Sequence, residues 1–466
     1  MKSTVRASWF GACVMVAAML AVPVGTQAAE PAAAEEPKPA TAEERIEDFL
    51  AKSKNPFEWF AWGADLRLRE TYANNHGTLD KGAANNELAM QRYRARWWMT
   101  VSPAKDVDVN LRLIWEGRHY AQPGNRQDYD QGDVLFDSLN LALKNVGGSP
   151  LSVVAGRQDI KLGDGWLICE GTPLDGSRTV FFDAYRFTYD LKDAKTAVDV
   201  IYVEQTHDGE RWLKPLQNMH RDLMEQNERG LILYVTNKSL PKTQVDGYFI
   251  YKRDLRQAIA NTVQGEIYTF GGRVAGDLSD HWQYHVEAAH QFGHKNDRYL
   301  RAFGLNSEAT YLVKDTLNNR LGVAYEFRSG DDPDSPGTDE AFDSLWNRYP
   351  IMSELLFYTW ALETRAGDIT NLHRIAGIWT CDPTPKTTVI GKYHLLFADE
   401  NTLRGTAGFS DSASFRGQLL ALWIKHKFSQ HLSGHIVNEF FFPGGYYSDL
   451  RNDVATFLRG ELVFSW

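Results

Sequence analysis

The segment QRYRARWWMTV (Gln91–Val101) alternates guanidinium and apolar side chains: Arg92, Arg94 and Arg96 against Tyr93, Ala95, Trp97 and Met99. In extended chain successive side chains point to opposite faces, so three cations share one face and the aromatics the other. The preceding segment AWGADLRLR (Ala61–Arg69) adds Arg67 and Arg69 to a polar face that also carries Asp65, opposite Trp62, Ala64, Leu66 and Leu68. Five guanidiniums at strand spacing repel one another unless a carboxylate or a passing anion offsets them. Their planar donor pairs match a carboxylate in bidentate fashion. Few carboxylates sit nearby in sequence, so this group reads as an anion-attracting patch.

Arg112, Arg157, Arg186, Arg273, Arg320, Arg328, Lys392 and Arg459 have the same inward parity or lie close to it. Asp65, Asp108, Glu116, Glu287, Glu326 and Glu461 share those faces. For any one of these cations taken alone, an ion pair that stiffens a wall is the better reading. Arg67, Arg69, Arg92, Arg94, Arg96, Arg112, Arg157, Arg186, Lys392 and Arg459 are the candidate solute-contacting set.

Catalytic chemistry finds no support. HVEAAH (His285–His290) has two imidazoles five residues apart, which a strand sends to opposite faces. There is no GxSxG, HExxH, P-loop or CxxC, so no catalytic residue, metal site or cofactor is expected. RSGDDPDSPGTDE (Arg328–Glu340) lacks the spacing and closing Glu of a calcium loop and reads as a solvated loop rather than a loose divalent site. The net charge of −10 argues against a general nucleic-acid binder. Of three cysteines, Cys13 lies in the N-terminal apolar segment, and Cys169 and Cys381 fall on opposite sides of the expected architecture.

The elements that must position these residues are strands. VDVNLRLIWEG (Val107–Gly117), WQYHVEAAHQF (Trp282–Phe292) and RLGVAYEFR (Arg320–Arg328) repeat the alternation of one apolar and one polar face. A soluble sandwich and an outer-membrane barrel both satisfy it. The connections discriminate. Short ones fall at 102–106, 145–150, 191–195, 237–242, 277–280, 314–318, 381–386 and 429–431. Long ones fall at 73–88, 121–132, 161–178, 207–228, 254–264, 294–307, 330–369, 399–412 and 443–453. Short turns on one side and long loops on the other describe an all-β transmembrane antiparallel barrel of about 18 strands, with periplasmic turns and extracellular loops. SELLFYTW (Ser353–Trp360) reads as a loop segment or short helix folded over or into the pore. No eighteen-residue apolar run exists to make a transmembrane helix.

The ends of the chain agree. Lys2, Arg6, the apolar run Gly11–Val24 and a small-residue site after Ala28 read as a signal peptide over residues 1–28. Residues 29–57 read as a flexible Ala/Pro/Glu linker followed by a short helix, and residues 58–466 as the barrel. LRGELVFSW (Leu458–Trp466) is a last strand with Leu458, Leu462 and Phe464 outward and a terminal aromatic. Such strands are what outer-membrane barrels present to the barrel-assembly machinery.

AGRQDIKLGDGWLI (Ala155–Ile168), VFFDAYRFTYD (Val180–Asp190) and NNRLGVAYEFRSGDD (Asn318–Asp332) resemble the alginate-export family of outer-membrane porins. The resemblance implies a monomeric eighteen-stranded barrel in outer-membrane lipid, with an Arg-rich constriction through which an anionic polysaccharide is exported. Arg157 and Arg186 would then be pore-lining. The Ala/Pro/Glu linker departs from that family's barrel. The sequence leaves open a channel for anionic saccharides, an uptake porin for small anionic metabolites, and a structural or adhesive barrel; direction of transport and solute are also open.

Overall fold

The computed structural model describes residues 42–124, 129–130, 133–170, 181–208, 213–217, 224, 226–255, 263–347, 352–364 and 368–466. The expected signal peptide and most of the linker lie outside them. Helix α1 (Ala42–Lys54) leads in, held where Trp62 Nε1 donates to the Ser53 carbonyl at 2.7 Å.

Strands follow in chain order: β1 (Phe60–Asn74), β2 (Glu87–Ala104), β3 (Val107–Gln122), β4 (Leu135–Leu143), β5 (Leu151–Gln158) and β6 (Phe182–Leu191). Next come β7 (Thr196–Gln205), β8 (Asn227–Asn237), β9 (Thr243–Leu255), β10 (Gly265–Asp277), β11 (Trp282–Lys295) and β12 (Arg298–Leu312). The last are β13 (Arg320–Arg328), β14 (Leu372–Thr384), β15 (Thr387–Phe397), β16 (Phe415–Lys427), β17 (Leu432–Pro443) and β18 (Ala455–Ser465). The sheet has 20 strands, two of them two-residue additions, Tyr129–Asp130 beside β3 and Thr338–Asp339 beside β12. The other eighteen pair antiparallel in sequence order, and β1 pairs with β18 in the register Leu66↔Phe464, which closes a barrel.

The eight short turns fall where the alternation breaks. Asp106, Asn145, Lys195, Lys242 and Lys314 take positive φ (65, 50, 46, 54 and 60°), the left-handed geometry of tight connections. One long connection is not there. Residues 294–307 were expected as a loop, yet β11 and β12 meet across Asn296 and Asp297, both at positive φ (49 and 65°). That is the geometry of a two-residue type I′ hairpin, which matches the twist of the flanking strands. The cations Arg298 and Arg301 mask a strand whose outward positions are otherwise Tyr299, Phe303 and Leu305.

Leu66, Tyr185, Val323, Leu420, Leu422 and Phe464 stand exposed on the outer face, the pattern of a lipid-facing wall. Inside, the outer half of the lumen is filled. Of the β13–β14 connection, residues 342–347 and 352–364 fold inward, placing α2 (Leu355–Thr359) and a following 3₁₀ turn against inward residues of β1, β2 and β14–β18. Leu355, Leu356 and Trp360 are buried there with Leu372, Leu396, Leu419, Val437 and Phe441. The SELLFYTW segment is thus a short helix within the pore. On the opposite wall, Trp166, Leu167 and Ile168 from the β5–β6 connection join Phe342 and Trp346 against β6–β12. The two inserted loops meet where Trp346 N donates to the Leu167 carbonyl at 3.1 Å and Asn347 Nδ2 to the Gly165 carbonyl at 2.6 Å. Inward-facing Gly230 leaves room for this insertion, since a Cβ there would overlap the Trp346 ring. Cys169 and Cys381 are both buried thiols and form no disulfide.

A candidate solute path along the inner wall

The β1–β2 register sets Asp65 beside Arg96, Arg67 beside Arg94, and Arg69 beside Arg92. The β2–β3 register adds Glu116 beside Arg94 and Arg118 beside Arg92. Across the closing seam, β18 brings Glu461 beside Arg69 and Arg459 beside Thr71. The five expected guanidiniums therefore do share one inner surface. Carboxylates also reach it, contrary to expectation, because sequence neighbourhood is not barrel neighbourhood.

Asp65 takes Arg96 Nε at 2.9 Å and Arg94 at 3.5 Å. Glu116, fully buried, takes Arg118 at 2.8 Å and Arg92 at 3.4 Å. Glu461 takes Arg69 Nε at 2.7 Å and lies 3.8 Å from Arg67. Among the described residues, six guanidiniums (Arg67, Arg69, Arg92, Arg94, Arg96 and Arg118) thus face three carboxylates (Asp65, Glu116 and Glu461), while the adjoining Arg112 is outnumbered by Asp137 and Asp159. Single residues are wall ion pairs, and the group remains cationic.

The other expected cations divide. Arg157 forms a fork with Asp183 at 2.8 and 2.9 Å, donates to the Phe136 carbonyl and covers the Phe181 ring, with 1% of its surface exposed. It is a girder of the wall. Arg112 is held by Asp137 and Asp159, and Arg186 by Asp199 at 2.8 Å. Arg459 meets Glu354 of the inserted loop at 3.0 Å and His435 at 3.2 Å. Lys392 differs: among the described residues no carboxylate lies within ion-pair distance of it. It lines a cavity of about 180 Å³ between the inserted loops and β11–β15, with His285, Glu308, Glu326, Arg374 and His394. Glu326 is shared by Arg328 at 2.9 Å, Arg374 at 3.0 Å and Trp166 Nε1 at 3.0 Å. His394 is 1% exposed, and neither ring nitrogen has a hydrogen-bond partner among the described residues.

Sequence reasoning missed Arg118, Arg374, His394 and Glu439. Arg118 was visible, since it continues the parity of Arg112 and Glu116. Glu439 was not. It stands alone among aromatic residues in NEFFF (Asn438–Phe442), and only the fold gives it partners. Buried on β17, it accepts from Ser353 Oγ at 2.6 Å, Leu355 N at 2.8 Å and Glu354 N at 3.2 Å. It thereby ties the start of α2 to the wall, as a carboxylate at the first turn of a helix does. Elsewhere the inserted loop is pinned by Arg416 on Glu363, by Trp346 Nε1 on Glu228 at 2.9 Å, and by Lys295 on Asp343 at 3.0 Å. Burial works to raise the Asp343 carboxyl, but Lys295 and Lys252 outweigh it and hold the group well below the usual carboxylate range.

His285 faces inward toward Asp164 at 3.8 Å while His290 faces outward, so HVEAAH does not converge. In the acidic loop, Asp331 pairs with Arg298 at 2.7 Å, Asp334 with Arg404, and Glu340 accepts from Ser335 at 2.8 Å.

A closed eighteen-stranded barrel with an apolar exterior, a charged interior and short turns on one side is an outer-membrane channel, set in the lipid of the cell outer membrane as a multi-pass barrel. A model of the family described as Alginate export matches residues 58–459, and the chain belongs to that family. Among solved structures, the fold is similar to OccAB4 of Acinetobacter baumannii (TM-score 0.56, 10% identity, covering 88% of this chain and 100% of that one). It is also similar to OccK5 (OpdH) of Pseudomonas aeruginosa (TM-score 0.54, 11% identity, 87% and 98% covered) and OccK7 (OpdD) of the same organism (0.53, 12%, 87% and 98%). At these identities the likeness is one of fold alone. No curated protein sequence matches the chain significantly.

Proposed function

We propose that the channel passes anionic saccharides, with a uronate-type polysaccharide as the solute class. The observation that carries this reading is the gathering of six guanidiniums against three carboxylates, among the described residues, on one stretch of inner wall. A water-filled lumen with low-dielectric walls focuses such a potential and raises the local concentration of anions. Successive carboxylated sugars would exchange bidentate contacts along Arg67, Arg69, Arg92, Arg94 and Arg96, with Lys392 offering a further cation along the wall on the other side of the closing seam. Arg112, Arg157, Arg186 and Arg459 serve this reading as wall supports rather than solute contacts. The working unit is a single chain, delivered by its N-terminal leader and inserted through its C-terminal strand, and it performs transport without covalent chemistry.

A second reading has a specific support. The inserted loops fill the outer half of the lumen, which favours uptake of small anionic metabolites over passage of a polymer. Planar-bilayer recordings on the purified protein separate the two. Transient block of the ionic current by oligouronates, with weaker block by single uronates, is the expected result. Equal indifference to both chain lengths removes the saccharide reading, and cation selectivity removes both readings.

A further inference from the structure

The outer wall is not uniformly apolar. At the extracellular ends of β1, β13, β15, β17 and β18 the outward positions are Tyr72, Phe327, Phe397, Phe442 and Leu458. On β7–β12 they are different. Cross-strand register aligns Glu204 with Arg229, Arg229 with Arg253, Arg253 with Glu266, and Glu266 with His294. Two residues along each strand toward the short turns, a second row runs Tyr202, Leu231, Tyr251, Tyr268, Phe292 and Arg301.

Depth places these cations. From Tyr311, the last outward aromatic at the periplasmic end of β12, to Arg301 is ten residues. At about 3.4 Å per residue and a tilt near 40° this is about 26 Å, the height of the apolar band of such barrels at about 25 Å. Arg253 stands ten residues above Thr243, the first residue of β9, at the same height. Both therefore emerge at the level of the outer-leaflet headgroups.

Arg229 and Arg253 are partly offset by Glu204 at 2.9 Å and Glu266 at 3.4 Å, and all four side chains remain about half exposed. Arg301 has no carboxylate within ion-pair distance among the described residues and is exposed. Among the described outward strand positions of this sector three guanidiniums stand against two carboxylates, with Asp297 beyond them at the hairpin tip. Beneath it the outer face is a stacked aromatic surface: Tyr251–Tyr268 at 5.1 Å, Tyr268–Phe292 at 5.4 Å, Phe249–Phe270 at 4.8 Å and Phe270–Phe292 at 5.9 Å between ring centroids. The hairpin at Asn296–Asp297 is a two-residue turn, and Tyr299 beside it is 67% exposed.

We propose that the β8–β12 sector holds a phosphorylated glycolipid of the outer leaflet, its phosphates on Arg229, Arg253 and Arg301 and its acyl chains along the aromatic face. Guanidinium groups spaced across adjacent strands suit a headgroup with two phosphates on a sugar backbone. A single-phosphate glycerolipid engages one of these sites at a time, so the chemistry selects the glycolipid.

The test is native mass spectrometry of the full-length protein in detergent, titrated separately with a purified acylated disaccharide bisphosphate, its dephosphorylated form and phosphatidylglycerol. The expected result is one retained bisphosphate, held at least tenfold more tightly than either comparison lipid. The triple variant Arg229→Gln/Arg253→Gln/Arg301→Gln loses that preference while keeping the heat-modifiable mobility of a folded barrel. Arg301→Gln alone strands no carboxylate; it weakens retention severalfold and serves if the triple variant does not assemble. Retention unchanged in Arg301→Gln, or equal binding of phosphatidylglycerol, overturns the proposal. Conductance plays no part in the readout, so the result is independent of which solute the lumen carries.

Discussion

Replacing Arg92, Arg94 and Arg96 together by Gln takes the inner-wall patch from six cations against three carboxylates to three against three, leaving Arg67, Arg69 and Arg118 opposite Asp65, Glu116 and Glu461. An anion about 8 Å from each excess charge in water gains about 0.5 kcal/mol per charge, or about 1.5 kcal/mol for three. Screening over a Debye length of about 10 Å at 0.1 M salt trims this by about half. The remaining ~0.7 kcal/mol enriches anions about threefold and depletes cations about threefold, an anion-to-cation permeability ratio of about ten. In a tenfold KCl gradient that sets a reversal potential of roughly 40 mV, against a limit near 59 mV for perfect selectivity. The triple variant should fall toward zero. The opposite double variant, Asp65→Asn/Glu116→Gln, raises the excess to five and should move the potential to about 55 mV by the same arithmetic. A triple variant that inserts as a folded barrel yet stays within about 10 mV of the parent on that scale refutes the reasoning, because the ion pairs would then already cancel the field.

Two further outcomes concern the inserted loop. Glu439→Gln removes the charged acceptor for Ser353, Glu354 and Leu355, contacts worth about 1.5–3 kcal/mol each to a charged group; it should raise open-channel noise and conductance with little change in barrel thermal stability. An unchanged single-channel trace would show that α2 is held by its apolar packing alone. Gly230→Leu should expel the Trp346 ring from the inner wall of β8, seen as a red shift of tryptophan fluorescence and faster proteolysis within 329–371. Emission and cleavage identical to the parent would mean that the ring seats elsewhere.

The barrel was legible because alternation is a local property. Every short turn coincided with a break in it, and the closing pair Leu66↔Phe464 follows once the outward residues of both strands are known. The β11–β12 hairpin was obscured by Arg298 and Arg301, cations that a strand tolerates at headgroup height but that read as loop in a linear scan. The charge balance of the patch was hidden for another reason. Glu461 reaches Arg69 across 392 residues of sequence, and no spacing rule carries that distance. The interior of the outer half was the least legible part. Trp166, Trp346 and Leu355 lie in connections whose composition resembles exposed loop, and their burial depends on the space that the opposite wall leaves for them.

The seam between the first and last strands has a consequence for how the molecule is made. Within the β1–β2 hairpin, five guanidiniums share one face with a single carboxylate, Asp65. Arg69 meets Glu461 only when β18 docks, at the end of synthesis and of the sheet. Until then the leading hairpin is a strongly charged edge, unattractive to any strand that lacks a matching carboxylate. The closure of the barrel is therefore set by charge as well as by register, since Glu461 is the carboxylate that the closing strand brings to Arg69.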